Sequence, residues 1–134
     1  MQSQRPARAF GALVATAVLD DLLAGLDGDV AILLRFIDDF VGLWSRRVAR
    51  LRTAIAEDDS AEAIAALESI RVSSTMLGAV GLAATAESAR RSIVDGGALT
   101  AVPVAEIARL GQRSGDALLD WSRLVRRRAS VPRR

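Results

Sequence analysis

The sequence predicts an all-α fold: an up-down four-helix bundle with an additional N-terminal helix. Three observations predict it. Of 134 residues, 51% are hydrophobic but only 4% aromatic, and the apolar set is mostly Ala, Leu, Val and Ile, of which Ala and Leu are strong helix formers. Only three prolines interrupt the chain. Apolar residues recur at spacings of three and four, and no run shows the strict alternation of a strand. A chain of this length makes one domain and buries roughly two-thirds of its unfolded surface, enough for a continuous core.

Residues 1–8 read as a flexible lead-in, 9–125 as the single bundle domain, and 126–134 as a basic, disordered tail. Over residues 9–26, Phe10, Leu13, Val14, Ala17, Val18 and Leu22 predict a first amphipathic helix or a pair of short ones, which Gly25 and Gly28 end. Asp29 then suits the N-cap of the next helix, because its carboxylate can accept from a free backbone N–H of the first turn. That helix, over residues 30–57, is the longest. Leu33, Phe36, Ile37, Phe40, Trp44, Val48, Leu51 and Ile55 form its core stripe, opposite Arg35, Asp38, Asp39, Arg46 and Arg50. Asp58-Asp59-Ser60 breaks it, and Asp59 with Glu62 fits a capping box for a third helix that stops at Gly78. A fourth helix, over residues 81–94, presents Leu82, Ala86, Ala89 and Ile93 and ends at Asp95-Gly96-Gly97. Pro103 suits the first turn of a fifth, whose core stripe is Ile107, Leu110, Ser114, Ala117, Leu118, Trp121 and Leu124. Short connections imply antiparallel neighbours.

Absences narrow the function. The chain has no Cys, no His and no Tyr, and all 18 of its basic residues are Arg. Thiolate, imidazole and lysine chemistry are therefore missing, which removes the commonest nucleophiles, general bases and metal ligands. No enzyme activity, no cofactor and no metal centre is expected. Carboxylates adjacent on a helix, such as Asp20-Asp21 and Asp38-Asp39, point about 100° apart and do not converge on one ion.

The net charge of +2 hides an asymmetry. The last nine residues hold five Arg and no acid, leaving 13 Arg against 16 acids in the body. An acidic body with a short basic tail does not form a nucleic-acid groove. Charge breaks every apolar stretch well short of the roughly 20 residues a membrane span needs. Arg5 and Arg8 ahead of an apolar run imitate a signal peptide, but Asp20-Asp21 follows with no small-residue cleavage site. A cytoplasmic protein is expected.

The third helix carries the most distinctive stretch, Ala66-Leu67-Glu68-Ser69-Ile70-Arg71-Val72-Ser73-Ser74-Thr75-Met76-Leu77-Gly78-Ala79. At 100° per residue, Ala63, Ala66, Ile70, Ser73 and Leu77 fall within roughly 40° of the side opposite Glu68. Ala61, Ile64, Ala65, Arg71, Val72 and Thr75 fall within roughly 60° of Glu68 itself. Glu68 is thus predicted at the middle of an exposed face. Arg90, twelve residues beyond Gly78 where Glu68 lies ten before it, comes to a similar height and can pair with it.

This stretch resembles the signature of histidine-phosphotransfer (Hpt) domains, in which an Ala-His pair is followed by x-Leu-Lys-Gly-Ser-Ser and, a turn later, Leu-Gly-Ala. Ser69, Ile70, Arg71, Ser73, Ser74, Leu77, Gly78 and Ala79 fit that pattern, with Ile for Leu and Arg for Lys. Leu19-Asp20-Asp21-Leu22, Phe36, Phe40, residues 54–59 and Gly81-Leu82-Ala83 agree with the surroundings, so the resemblance covers about residues 19–95. The resemblance implies an Hpt-like bundle of two-component signalling. Two departures fall on its chemistry: the phosphoacceptor position is Glu68, and the small Gly four residues later is Val72. Transfer through histidine is excluded. What the resemblance leaves is a docking face, Ile64, Glu68, Arg71, Val72 and Thr75, for a response-regulator receiver domain or a histidine kinase. The rival expectation is a structural or oligomerisation bundle, with Val14, Val41 and Val125 as candidates for a homodimer interface.

Overall fold

Capping side chains set the helix starts. The Asp29 carboxylate accepts from the Ile32 N–H at 3.3 Å, and the Asp59 carboxylate from the Glu62 N–H at 3.0 Å. In the computed structural model, which describes residues 13–129, five α-helices follow: α1 (Thr16–Gly25), α2 (Val30–Ala56), α3 (Ser60–Met76), α4 (Val80–Val94) and α5 (Val104–Ala129). A 3-10 turn, Leu99–Ala101, precedes α5. There is no strand among the described residues. The lead-in, residues 9–12 of the expected first helix and residues 130–134 lie outside them.

Only half of the expected capping box forms. Glu62 does not reach back to the Asp59 N–H, which donates instead to the Ala54 carbonyl at 2.9 Å. The Glu62 side chain crosses to Arg50 of α2 at 2.5 Å. A charged partner on the neighbouring helix outcompetes a neutral backbone donor.

Helix α2 packs on α3 and α5, and α4 packs on α3 and α5, so the four long helices close a ring around one core; α1 packs on α2. Asp38 meets Arg126, Val41 faces Gly115, and Trp44 meets both Gly111 and the Ala108 carbonyl. Numbers rise along α2 as they fall along α5, so this pair is antiparallel. Leu33, Ile37, Phe40, Trp44 and Leu51 of α2 meet Leu67 and Ile70 of α3, Leu82 and Ile93 of α4, and Ile107 and Leu118 of α5 in the core. Phe36 and Ile55, expected on the α2 stripe, sit half-buried at its edges, while Ala54 is buried.

The face of α5 differs more. Its buried side is Ile107, Gly111, Ser114, Gly115, Leu118 and Ser122, rotated by roughly 70° from the apolar stripe at 100° per residue. Leu110, Ala117 and Trp121 are half-buried, and Leu124 is exposed. The reason is the Trp44 indole, which occupies the space a side chain at Gly111 would need: a Cβ there would lie 1.8 Å from Cζ2. The indole stacks on Phe40, with centroids 5.6 Å apart, and its N–H donates to the Ala108 carbonyl at 3.2 Å. Small residues draw α5 onto α2, and the larger apolar ones turn outward.

Two expectations are corrected here. The helix does not end at residue 125: it runs through Ala129 and takes in Arg126, Arg127 and Arg128, with Arg126 donating to Asp38 at 3.4 Å. Cations in a last turn favour the helix dipole, which extends the element. Of the residues offered for a dimer interface, Val14 is buried and so unavailable; Val41, beside Gly115 of α5, and Val125 are half-buried.

Gly111→Ala must push the indole or α5 aside and is expected to destabilise by about 1–3 kcal/mol or more. At Gly115 an added Cβ meets only Val41 Cγ2, at an ordinary 3.5 Å. Gly115→Ala is therefore expected to be neutral or to stabilise by up to about 1 kcal/mol, through helix propensity. Urea unfolding of both variants checks the contrast.

Candidate docking site between α3 and α4

Helix α3 has neighbours on two sides, α2 and α4, and this sets where Glu68 points. Its buried residues are Ala63, Ala66, Leu67, Ile70, Ser74 and, at the cap, Leu77. Leu67 and Ser74 replace Ser73 as core positions, which turns the buried sector by roughly 30°. Glu68 therefore sits at the α4 flank of the outer face, with its side chain 44% exposed, and not at the middle of that face. Val72 and Thr75 are exposed, and Ile64 and Arg71 are half-buried.

The Gly78 turn places α4 beside that flank. Ile64, Glu68, Arg71 and Thr75 line one wall of an open groove of about 680 Å³, and Ala83, Ala84, Glu87 and Arg90 line the other. Four of the five expected site residues are thus brought together. Val72 does not line the groove; it stands beside it, 51% exposed.

A network of charges crosses the groove. Arg71 donates through Nε and Nη2 to the two Glu68 carboxylate oxygens, at 3.1 and 2.6 Å. Arg90 binds Glu87 in the same two-pronged way, at 2.9 and 2.8 Å. Cross-contacts of 3.5 Å join Arg90 to Glu68 and Arg71 to Glu87. The expected pairing of Glu68 with Arg90 is present. Arg91 adds a further hydrogen bond to Glu87 at 3.1 Å.

Hydrogen bonds from Arg71, with the charge of Arg90 behind them, hold the Glu68 carboxyl below the usual range. The effect is larger at Glu87, where Arg90 first and then Arg91 lower the pKa to about 2. The same pairings raise Arg71 and Arg90. Both glutamates stay ionised under all ordinary conditions, so neither is a proton donor or acceptor near neutral pH. The groove offers fixed charge and hydrogen-bond donors, framed by small apolar residues.

Sequence reasoning missed Glu87. Its spacing to Arg90 and Arg91 reads as an ordinary helix-surface pair. The available signal was height: counted from Gly78, Glu87 stands opposite Arg71 as Arg90 stands opposite Glu68. Trp121, expected in the core, packs half-buried against it and also lines a hollow of about 530 Å³ with Leu13, Val14, Ala117 and Leu124. No family model, curated protein or solved structure matches this chain. Among the described residues no helix is long and apolar enough to cross a membrane.

The lowered pKa of Glu87 predicts a pH dependence with a definite sign. The unfolded chain binds a proton at Glu87 near the ordinary 4.5, whereas the folded chain does so only near 2. Its contribution is present above about pH 4.5 and is lost as pH falls toward 2. Unfolding free energy measured across that window is expected to fall less steeply for Glu87→Gln than for wild type. Parallel curves would remove the network from the stability of the fold.

Proposed function

We propose that this protein is an Hpt-like signalling adaptor, an up-down four-helix bundle that binds a receiver domain or a histidine kinase without carrying phosphate. The observation that carries the reading is the state of position 68. Where the Hpt pattern has its phosphoacceptor, a carboxylate stands on the lip of an open groove, fixed by Arg71 and Arg90 and bordered by exposed Val72 and Thr75. Acceptor chemistry is gone. A pre-formed surface of charge and small apolar contact remains, on rigid helices.

The face is suited to recognition for a physical reason. Charges locked into a network lose little side-chain freedom when a partner meets them. The apolar neighbours Ile64 and Val72 supply contact area beside them. With its glutamates permanently ionised, the face presents one charge pattern at every physiological pH. The adaptor has no need of a cofactor or metal.

Titration of purified receiver domains and histidine kinases against the chain tests this. Stoichiometric binding to one of them is expected, weakened tenfold or more by Glu68→Arg/Arg71→Glu, a double reversal that keeps the net charge. Stoichiometric binding that ignores the reversal would sink the docking face. A second reading, an oligomerisation bundle, is favoured by the exposure of Met76 and Val80 at the α3–α4 turn. Light scattering separates the two: a concentration-independent dimer that buries the Glu68 face gives the lead to the second reading.

A further inference from the structure

Two guanidinium groups converge on one carboxylate in the α3–α4 groove. Arg71 holds both Glu68 oxygens, and Arg90 Nε approaches one of them at 3.5 Å. Counting Arg91, three guanidiniums face two carboxylates, a local excess of one positive charge. The groove above them is open, and the Arg71 and Arg90 side chains keep 33% and 28% of their surface exposed. Convergent guanidiniums are the donor set that recognises free oxyanions, because their planar forks match two oxygens at once.

We propose that Arg71 and Arg90 form an oxyanion clamp whose resident ligand is the protein's own Glu68 carboxylate, and that a dianionic phosphoryl group displaces it. The two glutamates differ in a way that allows this. Glu87 is gripped by Arg90 and Arg91 and is 27% exposed, so it serves as the floor that keeps Arg90 in place. Glu68 is 44% exposed and its bidentate partner lies on its own helix, so it can swing to solvent without moving the core. A phosphoryl group carries about −1.5 to −2 where the carboxylate carries −1, and it offers three acceptor oxygens. The exchange forms and breaks no covalent bond. It follows from the geometry of the groove alone and stands or falls separately from the adaptor reading.

The test is a phosphate titration of the full chain at constant ionic strength, read on the arginine Nε–H signals by nitrogen-15 NMR. Saturating shifts confined to the clamp arginines are expected for wild type. Glu68→Gln removes the competing charge and is expected to tighten binding on the order of tenfold; adding Arg71→Gln to that variant is expected to abolish it. Tighter binding of phenyl phosphate than of inorganic phosphate assigns the clamp to a phosphorylated group, the reverse to the free ion, and either supports it. Shifts that match a sodium chloride control, or a Glu68→Gln variant that binds no tighter than wild type, overturn the clamp. Acetate binding as tightly as phosphate overturns the phosphoryl assignment.

Discussion

At Gly78 the backbone passes through φ +78, and a Cβ there would meet the Ala15 carbonyl oxygen at 2.8 Å and Val18 at 3.1 Å. Both the left-handed conformation and the lack of room require glycine. The turn does two jobs. The Ala15 N–H donates to the Gly78 carbonyl at 2.8 Å, which ties the segment ahead of α1 to the far end of the bundle. The turn also fixes the register of α3 against α4, and with it every contact in the groove. A shift of one residue in that register rotates Glu68 and Arg90 by about 100° relative to each other and dissolves the charge network.

The rest of the core serves this register by letting helices approach closely. Ala63 and Ala66 on α3 and Ala86 and Ala89 on α4 are all buried, and none is large. Gly111 plays the equivalent part on α5, where the Trp44 indole fills the space. Close backbones bring side chains rooted on different helices within hydrogen-bonding range. The Arg71–Glu87 and Arg90–Glu68 contacts, both at 3.5 Å, span that distance. Apolar packing and the surface network are thus one design, since a bulkier α3–α4 seam would part the two walls.

Much of this was legible in the sequence because it rests on local rules. Asp29, Asp59, Gly28 and Gly78 punctuate the helices where backbone geometry demands, and the α2 stripe reads directly from its period. What was not legible depends on which neighbour a face meets. Leu110, Ala117, Trp121 and Leu124 look like a core stripe by hydropathy, yet the Trp44 ring selects Gly111 for the interior. Glycine carries no apolar signal, so periodicity cannot find such a face. The same holds at the site. Glu68, Ile64, Arg71 and Thr75 were found together because they share a helix, whereas Glu87 belongs to the site only through the turn.

Positions 68 and 72 depart together from the Hpt pattern, and their placement bears on what such a departure leaves. On the adaptor reading, an imidazole at 68 would leave Arg71 without its carboxylate partner, while Arg90 would stay bound to Glu87. The carboxylate instead takes both Arg71 hydrogen bonds, while those of Arg90 go to Glu87. On that reading, the carboxylate at 68 stands where the acceptor would be and occupies Arg71 in its place. The same reading leaves the face its charge and contact area, while a phosphotransfer step would have no imidazole on which to occur.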